Sequence, residues 1–213
     1  MFVRYHADMS LAVEARSRDR ILDAALDLFA KHGYAGASMR QIAAAVGMRA
    51  SSLYSHFEGK AAILSALIDA YGPARGADRL ASSQYRALRD DPAAFLRRYT
   101  ADWLDQWCDP NERRFMELLS AEPSRMAEHR AHFVETLFDR EVAAMTEYFR
   151  RFVLAGRMRA PDPAECARLF MAGLTFVRMQ HLLMPPEPSP RAAIADALDR
   201  TVTNFLRLVQ VEA

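Results

Sequence analysis

Residues Ser38 to Phe57, SMRQIAAAVGMRASSLYSHF, with Lys60 just beyond, decide how the chain folds. Ser38 is a strong helix cap. Behind it Met39, Ile42, Ala43 and Val46 repeat at i, i+3, i+4 and i+7, the stripe of an amphipathic helix. Gly47 then stands where two crossing helices need a residue that tolerates positive φ. Ala43 and Ala44 are small enough for a third helix, about Arg49 to His56, to cross closely. Alone it is too short to be stable, because isolated helices below ~12 residues are marginal. Leu53 and Phe57, one turn apart, must anchor it, which leaves Arg49, Ala50, Ser51, Ser52, Tyr54, Ser55 and His56 for solvent or a partner. Two short helices joined by a tight glycine turn form a helix-turn-helix, whose second helix enters the major groove of DNA.

Upstream, residues 1–15 show no clear periodicity and read as a disordered arm, with Met9 as a second possible start. A helix follows from about Arg16, capped by Ser17 and buried along Ile21, Leu22, Ala25, Leu26 and Phe29. Gly33 ends it. Downstream, Gly59 and Lys60 open a fourth helix with the stripe Ile63, Leu64, Leu67, Ile68 and Tyr71, broken at Gly72-Pro73. Further helices are predicted from Pro92 to about Trp107, from Asn111 to Ala121, and within about Ser124 to Ala155. Two more run from about Pro163 to Leu183 and from about Arg191 to Val209, separated by MPPEPSP (Met184 to Pro190), whose prolines forbid helix. The expected fold is all-α, with about nine helices. An N-terminal helix-turn-helix domain (1–60) would carry the arm, and a larger helical domain (61–213) would follow.

Composition agrees with this and excludes much else. Only 8 Gly and 10 Pro interrupt 213 residues that are 51% hydrophobic and 26% charged, a globular balance that favours helix. No run reaches the ~18 apolar residues needed to cross a bilayer, and the first residues lack the apolar core of a signal peptide. A cytoplasmic protein that does not engage membranes is expected. Net charge is +1, although residues 1–60 hold eight Lys/Arg against six acids, a small excess that a dimer doubles. Cys108 and Cys166 match no metal or disulfide spacing. Glu128, His129 and His132 offer fewer convergent ligands than zinc or di-iron sites need. With no P-loop, GxSxG, HExxH or dinucleotide fingerprint either, neither a cofactor, a metal nor an enzyme is expected.

Several spaced motifs over about residues 16–64 resemble the tetracycline-repressor (TetR) family: Arg20-Ile-Leu-Asp-Ala-Ala, Leu28-Phe29, Gly33-Tyr34, Ser38-Met-Arg-Gln-Ile-Ala, Ala45-Val-Gly-Met, Leu53-Tyr54-Ser55-His56-Phe57 and Lys60. The resemblance implies a homodimeric, ligand-responsive repressor that binds a palindromic operator and is released by a small molecule held in the C-terminal domain. An activator on the same fold is the alternative, as is a helical binding protein or enzyme whose helix-turn-helix no longer meets DNA. Arg49 departs from the pattern, which commonly has a small capping Ser or Thr there, and Gly59 replaces a polar residue.

Roles follow from that match together with side-chain chemistry. Arg suits guanine O6/N7 and Ser serves several base edges, which assigns base reading to Arg49, Ser51 and Ser52. Tyr54, His56 and Lys60 would hold phosphates as the matching family positions do, with Arg40, Arg16 and Arg18 as weaker candidates. The resemblance also implies an effector pocket in the second domain, for which Trp103, Trp107, Met116, Phe133, Phe138, Met145, Phe149 and Phe176 are candidates. Aromatic and thioether side chains line such sites, and an apolar or aromatic effector would suit them. Helical spacing equally makes each of these plain core. Arg178, Gln180 and His181 are possible polar contacts. Both last helices are apolar across wide faces, and packing them on a two-fold copy would bury Gly173, Val177, Leu198, Val202 and Phe205 in a four-helix interface.

Overall fold

The structure, a computed structural model, describes residues 2–71, 75–121, 135 and 139–209, with side chains described outside 2–15, 75, 120 and 121. Its first helix, α1 (Phe2–Gly36), begins well before Arg16. The expected arm is its first turns, since ADMSLAVEAR (residues 7–16) contains neither Gly nor Pro and is rich in strong helix formers. Gly33 (φ 69°, ψ 163°) breaks the helical geometry near its end. Next come α2 (Met39–Ala45), α3 (Ala50–His56), α4 (Lys60–Tyr71), α5 (Arg75–Leu80), α6 (Ser83–Ala87), α7 (Pro92–Trp107) and α8 (Pro110–Ala121). The chain ends with α9 (Glu141–Leu154), α10 (Pro163–Arg178), widened into a π-helical turn at Met179–Leu183, and α11 (Arg191–Val209). Apart from the short α5 and α6, the described residues form nine helices and no strand, an all-α fold as expected. Only the end of the long helix expected over 124–155 lies within the described residues, as α9.

Packing divides the chain into two compact units: Met1–Gly72 with Pro110–Arg130, and Pro73–Asp109 with Ala131–Ala213. This differs from a division at residue 60. Helix α4 stays with the first three because Ile63, Leu64, Leu67 and Ile68 bury against α1 and α8. Helix α8 supplies Phe115, Leu118 and Leu119 to the same core. Its membership was not legible, since an amphipathic stripe does not say which layer will cover it. The Tyr71 hydroxyl donates to Asp23 Oδ1 at 2.7 Å and Asn111 Nδ2 donates to the same oxygen at 3.2 Å, so α1, α4 and α8 share one polar junction.

The second unit is built on aromatic side chains. Tyr85, Phe95, Tyr99, Phe149, Phe152 and Phe170 are essentially fully buried. They meet in edge and stacked contacts such as Tyr85 on Phe95 (5.5 Å between centroids) and Phe149 on Phe205 (5.7 Å). Here α7 packs on α11, α9 on α10, α10 on α11 and α5 on α9. The start signals are the expected ones. Asp91 caps α7 through Ala94 N at 2.9 Å, Asp162 caps α10 through Ala164 N at 2.8 Å, and a proline opens each helix. The proline-rich loop is closed by Ser189, whose N–H donates to the His181 carbonyl at 2.8 Å.

Candidate nucleic-acid interface

The reading helix is held from behind, as its length requires. Ser38 and Gln41 form a reciprocal capping box: Gln41 N donates to Ser38 Oγ at 3.3 Å, and Ser38 N donates to Gln41 Oε1 at 2.8 Å. Gly47 takes φ +71° in the turn, which a Cβ would strain. Arg20 of α1 reaches over to donate to the Val46 carbonyl at 3.0 Å. Leu53 is fully buried and Phe57 nearly so, with the Arg18 guanidinium 4.3 Å from the Phe57 ring centroid. Arg18 is therefore engaged on the protein itself.

What remains outward is polar. Arg49, Ser51, Ser52, Tyr54 and Ser55 are exposed and His56 is half-buried in the last turn of α3. The Ser55 hydroxyl donates to the Ser52 carbonyl at 2.7 Å, so Ser51 and Ser52 are the hydroxyls better placed to read bases. Arg40 is exposed near the start of α2, and Arg16 is exposed on α1.

Arg49 is the N-cap of α3 (φ −71°, ψ 146°) and makes no side-chain cap bond. A guanidinium has no acceptor to offer the helix N–H groups. Arg49→Ser is therefore expected to raise stability by about 1 kcal/mol through the new cap. It is also expected to relax base preference at one operator position by about 1–3 kcal/mol, the worth of a bidentate guanine contact. Chemical denaturation and competition among operator variants measure the two effects separately.

Lys60 is placed differently from its expected phosphate role. Its Nζ donates to the carbonyls of Tyr34 (2.7 Å), Ala35 (3.3 Å) and Ala37 (2.7 Å), and lies 4.7 Å from the Tyr34 ring centroid. All three ammonium donors are used to close the end of α1 and tie α4 to it. Lys60→Ala is expected to destabilise the protein by about 1–3 kcal/mol, the scale of hydrogen bonds to a charged group. Urea denaturation reads this, and Lys60→Met, which keeps the stem, should fare little better.

The expected effector side chains are distributed over both units. Trp103, Trp107, Met145 and Phe149 are buried in the second unit, and the two indoles lie 5.5 Å apart. Met116 belongs to the first unit, and Phe176 is 67% exposed. Phe133 and Phe138 lie outside the described residues, as do His129 and His132. The Arg178 guanidinium sits 5.6 Å from the Trp107 ring centroid, while His181 Nδ1 lies 3.0 Å from Ser189 Oγ. A groove of about 390 Å³ on α9 and α10, with Asp139, Glu147, Arg150 and Arg168 at its walls, contains none of the expected residues.

Sequence reasoning missed Glu141. It is fully buried, and burial pushes its carboxyl up to about 7, against the opposing hydrogen bond from Tyr99 and the charge of Arg79. The signal was present, because Glu141 is in phase with Met145, Phe149 and Phe152 on the apolar stripe of α9.

The dimer residues also need correction. Val177, Leu198, Val202 and Phe205 point into the protomer's own core, and a Cβ on Gly173 would stand 3.2 Å from Thr201 Cγ2 of α11. Gly173 thus serves α10–α11 packing within one chain. The outer face of α10 carries a separate exposed row: Leu169, Ala172, Phe176, Met179 and Leu183, at alternating spacings of three and four. A helix apolar on both sides gives no sign in sequence of which side faces its own core.

Residues 21–67 match the family described as bacterial regulatory proteins, tetR family, and residues 94–209 match the AefR-like transcriptional repressor C-terminal domain. A Pseudomonas putida HTH-type transcriptional regulator, TtgW, is 41% identical over 58 residues, a match covering 27% of this chain and 43% of that protein. The chain thus spans under half the length of that relative. The HTH-type transcriptional repressor Rv1474c of Mycobacterium tuberculosis is 26% identical over 191 residues, covering 88% of this chain and 94% of the other. Among solved structures, a TetR-family transcriptional regulator from Mesorhizobium loti shares the fold at TM-score 0.72 and 21% identity, covering 93% of this chain and 98% of that one. So does SmeT, the repressor of the Stenotrophomonas maltophilia multidrug efflux pump SmeDEF, at TM-score 0.67 and 23% identity over 92% and 91% of the two chains; SmeT in complex with triclosan matches at the same TM-score of 0.67. With an exposed reading helix on buried anchors, and a C-terminal match that alone spans more than half its length, the chain belongs to the TetR family of DNA-binding transcriptional regulators.

Proposed function

We propose that the protein is a homodimeric repressor that binds a palindromic operator through α3 and releases it when a small apolar or aromatic effector enters the second unit. The observation that carries this is the division of labour on α3. Leu53 and Phe57 are spent on anchoring, and every exposed side chain from Arg49 to Ser55 is polar. Arg49, Ser51 and Ser52 read bases; Tyr54, His56 and Arg40 hold phosphates. Lys60 acts from behind by fixing α4. One seven-residue helix touches too few bases to specify a site, so two copies must read half-sites one helical turn, about 34–36 Å, apart.

The exposed α10 row supports a second copy as the partner. Leu169, Ala172, Phe176, Met179 and Leu183 follow the alternating spacing of a coiled-coil seam, and an apolar row left in water marks an interaction surface. The names of Rv1474c and SmeT favour a repressor over an activator, and the triclosan complex of SmeT favours a small-molecule effector. A ligand releases DNA only as far as it binds the non-binding conformation better.

Mobility shift with the DNA flanking the protein's own gene tests the reading. Affinity should fall roughly 10³-fold or more between 50 and 200 mM salt if six or more phosphates are contacted. Binding that is absent, or indifferent to salt, would remove the DNA-reading role.

A further inference from the structure

Glu141, the first residue of α9, is 0% exposed, yet no cation pairs with it among the described residues. Oε1 accepts the Tyr99 hydroxyl at 2.7 Å, while Oε2 has no hydrogen-bond partner among the described residues. Nor can the facing helix supply a side chain at the point of contact. Gly76 of α5 lies so close that a Cβ there would fall 1.8 Å from Oε1. Arg79, the cation whose field reaches the carboxyl, donates instead to Gln106 Oε1 at 2.8 Å and stands 5.7 Å from the Trp103 ring centroid.

Beside this acceptor runs a column of rings on α7. Tyr99, Trp103 and Trp107 follow one another a turn apart, with centroids 6.2 and 5.5 Å from ring to ring. Among the described residues neither indole N–H has an acceptor in hydrogen-bonding geometry, although Trp103 stands close enough to the Tyr99 hydroxyl to act on it. Three orphaned polar atoms in one aromatic region are unusual, since native proteins satisfy the large majority of buried polar groups. Each orphan costs free energy.

The chemistry missing from the cluster is a donor for Oε2, compatible with aromatic faces, and an acceptor for the indoles. Aromatic faces attract cations, and a buried carboxylate is best matched by one. Resting on the effector-responsive reading, we propose that this cluster recognises the effector, an apolar or aromatic molecule bearing a protonated amine that donates to Glu141 Oε2. The apolar body lies along the Trp103–Trp107 column. Glu141 sets the charge preference and the indoles set the orientation.

The chain's only two tryptophans are Trp103 and Trp107, so intrinsic tryptophan fluorescence reports on this cluster alone. Three probes of one shape, 4-phenylbutylammonium, 4-phenylbutanol and 4-phenylbutyrate, are titrated into the full-length protein without DNA, with calorimetry as a second readout. The ammonium is expected to bind at least about tenfold more tightly than the alcohol, a difference of 1.4 kcal/mol, and the carboxylate most weakly. Glu141→Gln, which keeps shape and removes charge, is expected to erase the ammonium preference and retain alcohol binding. Equal affinities, a preference for the carboxylate, no ammonium binding, or a preference that survives in Glu141→Gln would each overturn the assignment. A separate operator-release assay keeps the two readings apart. Ammonium binding without DNA release would sink the regulatory reading and leave the site standing. Release by a neutral or anionic compound alone would do the reverse.

Discussion

Phe176→Glu is expected to yield a folded monomer whose operator affinity is lower by at least about 10²-fold, the scale lost when two linked contacts become separate ones. Phe176 is 67% exposed and near the middle of the α10 row, so the protomer loses no core contact, and its helicity should be kept while the thermal midpoint falls only by what dimerisation contributed. The two-fold contact is self-complementary, which places the new charge twice in one apolar seam. Analytical ultracentrifugation reads the assembly state and mobility shift reads the affinity. The contrasting variant is Leu198→Ala, at a position 2% exposed. It should cost about 2–5 kcal/mol of stability as a core cavity while leaving the native protein dimeric. If Leu198→Ala dissociates the dimer and Phe176→Glu does not, the inward face is the interface after all.

That contrast marks where the sequence was legible. The helix-turn-helix could be read residue by residue because its signals are local. Ser38 and Gln41 cap within one turn, Gly47 takes a conformation other residues avoid, and Leu53 and Phe57 lie on one face. The second unit depends on which element covers which face, and periodicity is blind to that. It put Val177, Leu198, Val202 and Phe205 on apolar faces but did not show that they bury in the protomer's own core. It likewise could not show that α8 packs on α1 and α4, or that Met116 thereby belongs to the first unit. The carbonyl contacts of Lys60 were hidden for a related reason. A lysine at a helix start looks equally suited to a phosphate and to the carbonyls of a neighbouring helix end. Only the fold brings Tyr34, Ala35 and Ala37 within its reach.

Glu141 leads to the other large expected effect, a loss of stability as pH rises. Its carboxyl is raised by burial from 4.5 to about 7 in the folded chain, so in that window the native state holds a proton that the unfolded state has released. The stabilisation is complete below about pH 4.5 and is lost as pH climbs through about 7. At full extent the change is about 3 kcal/mol, from the free energy carried by each pH unit of displacement. Asp90 works in the opposite sense, since its hydrogen bond from Arg151 holds it below the ordinary carboxylate range, and its influence is felt only in more acidic solution. Urea midpoints across about pH 5 to 8 should therefore fall for the wild type and stay level for Glu141→Gln. The variant should be the more stable protein above neutrality, because an amide can accept from Tyr99 without bearing a buried charge. A wild-type profile as flat as the variant's would mean that the carboxyl is not held in its neutral form. In saturating 4-phenylbutylammonium the wild-type slope is expected to flatten, since a bound cation favours the ionised carboxylate.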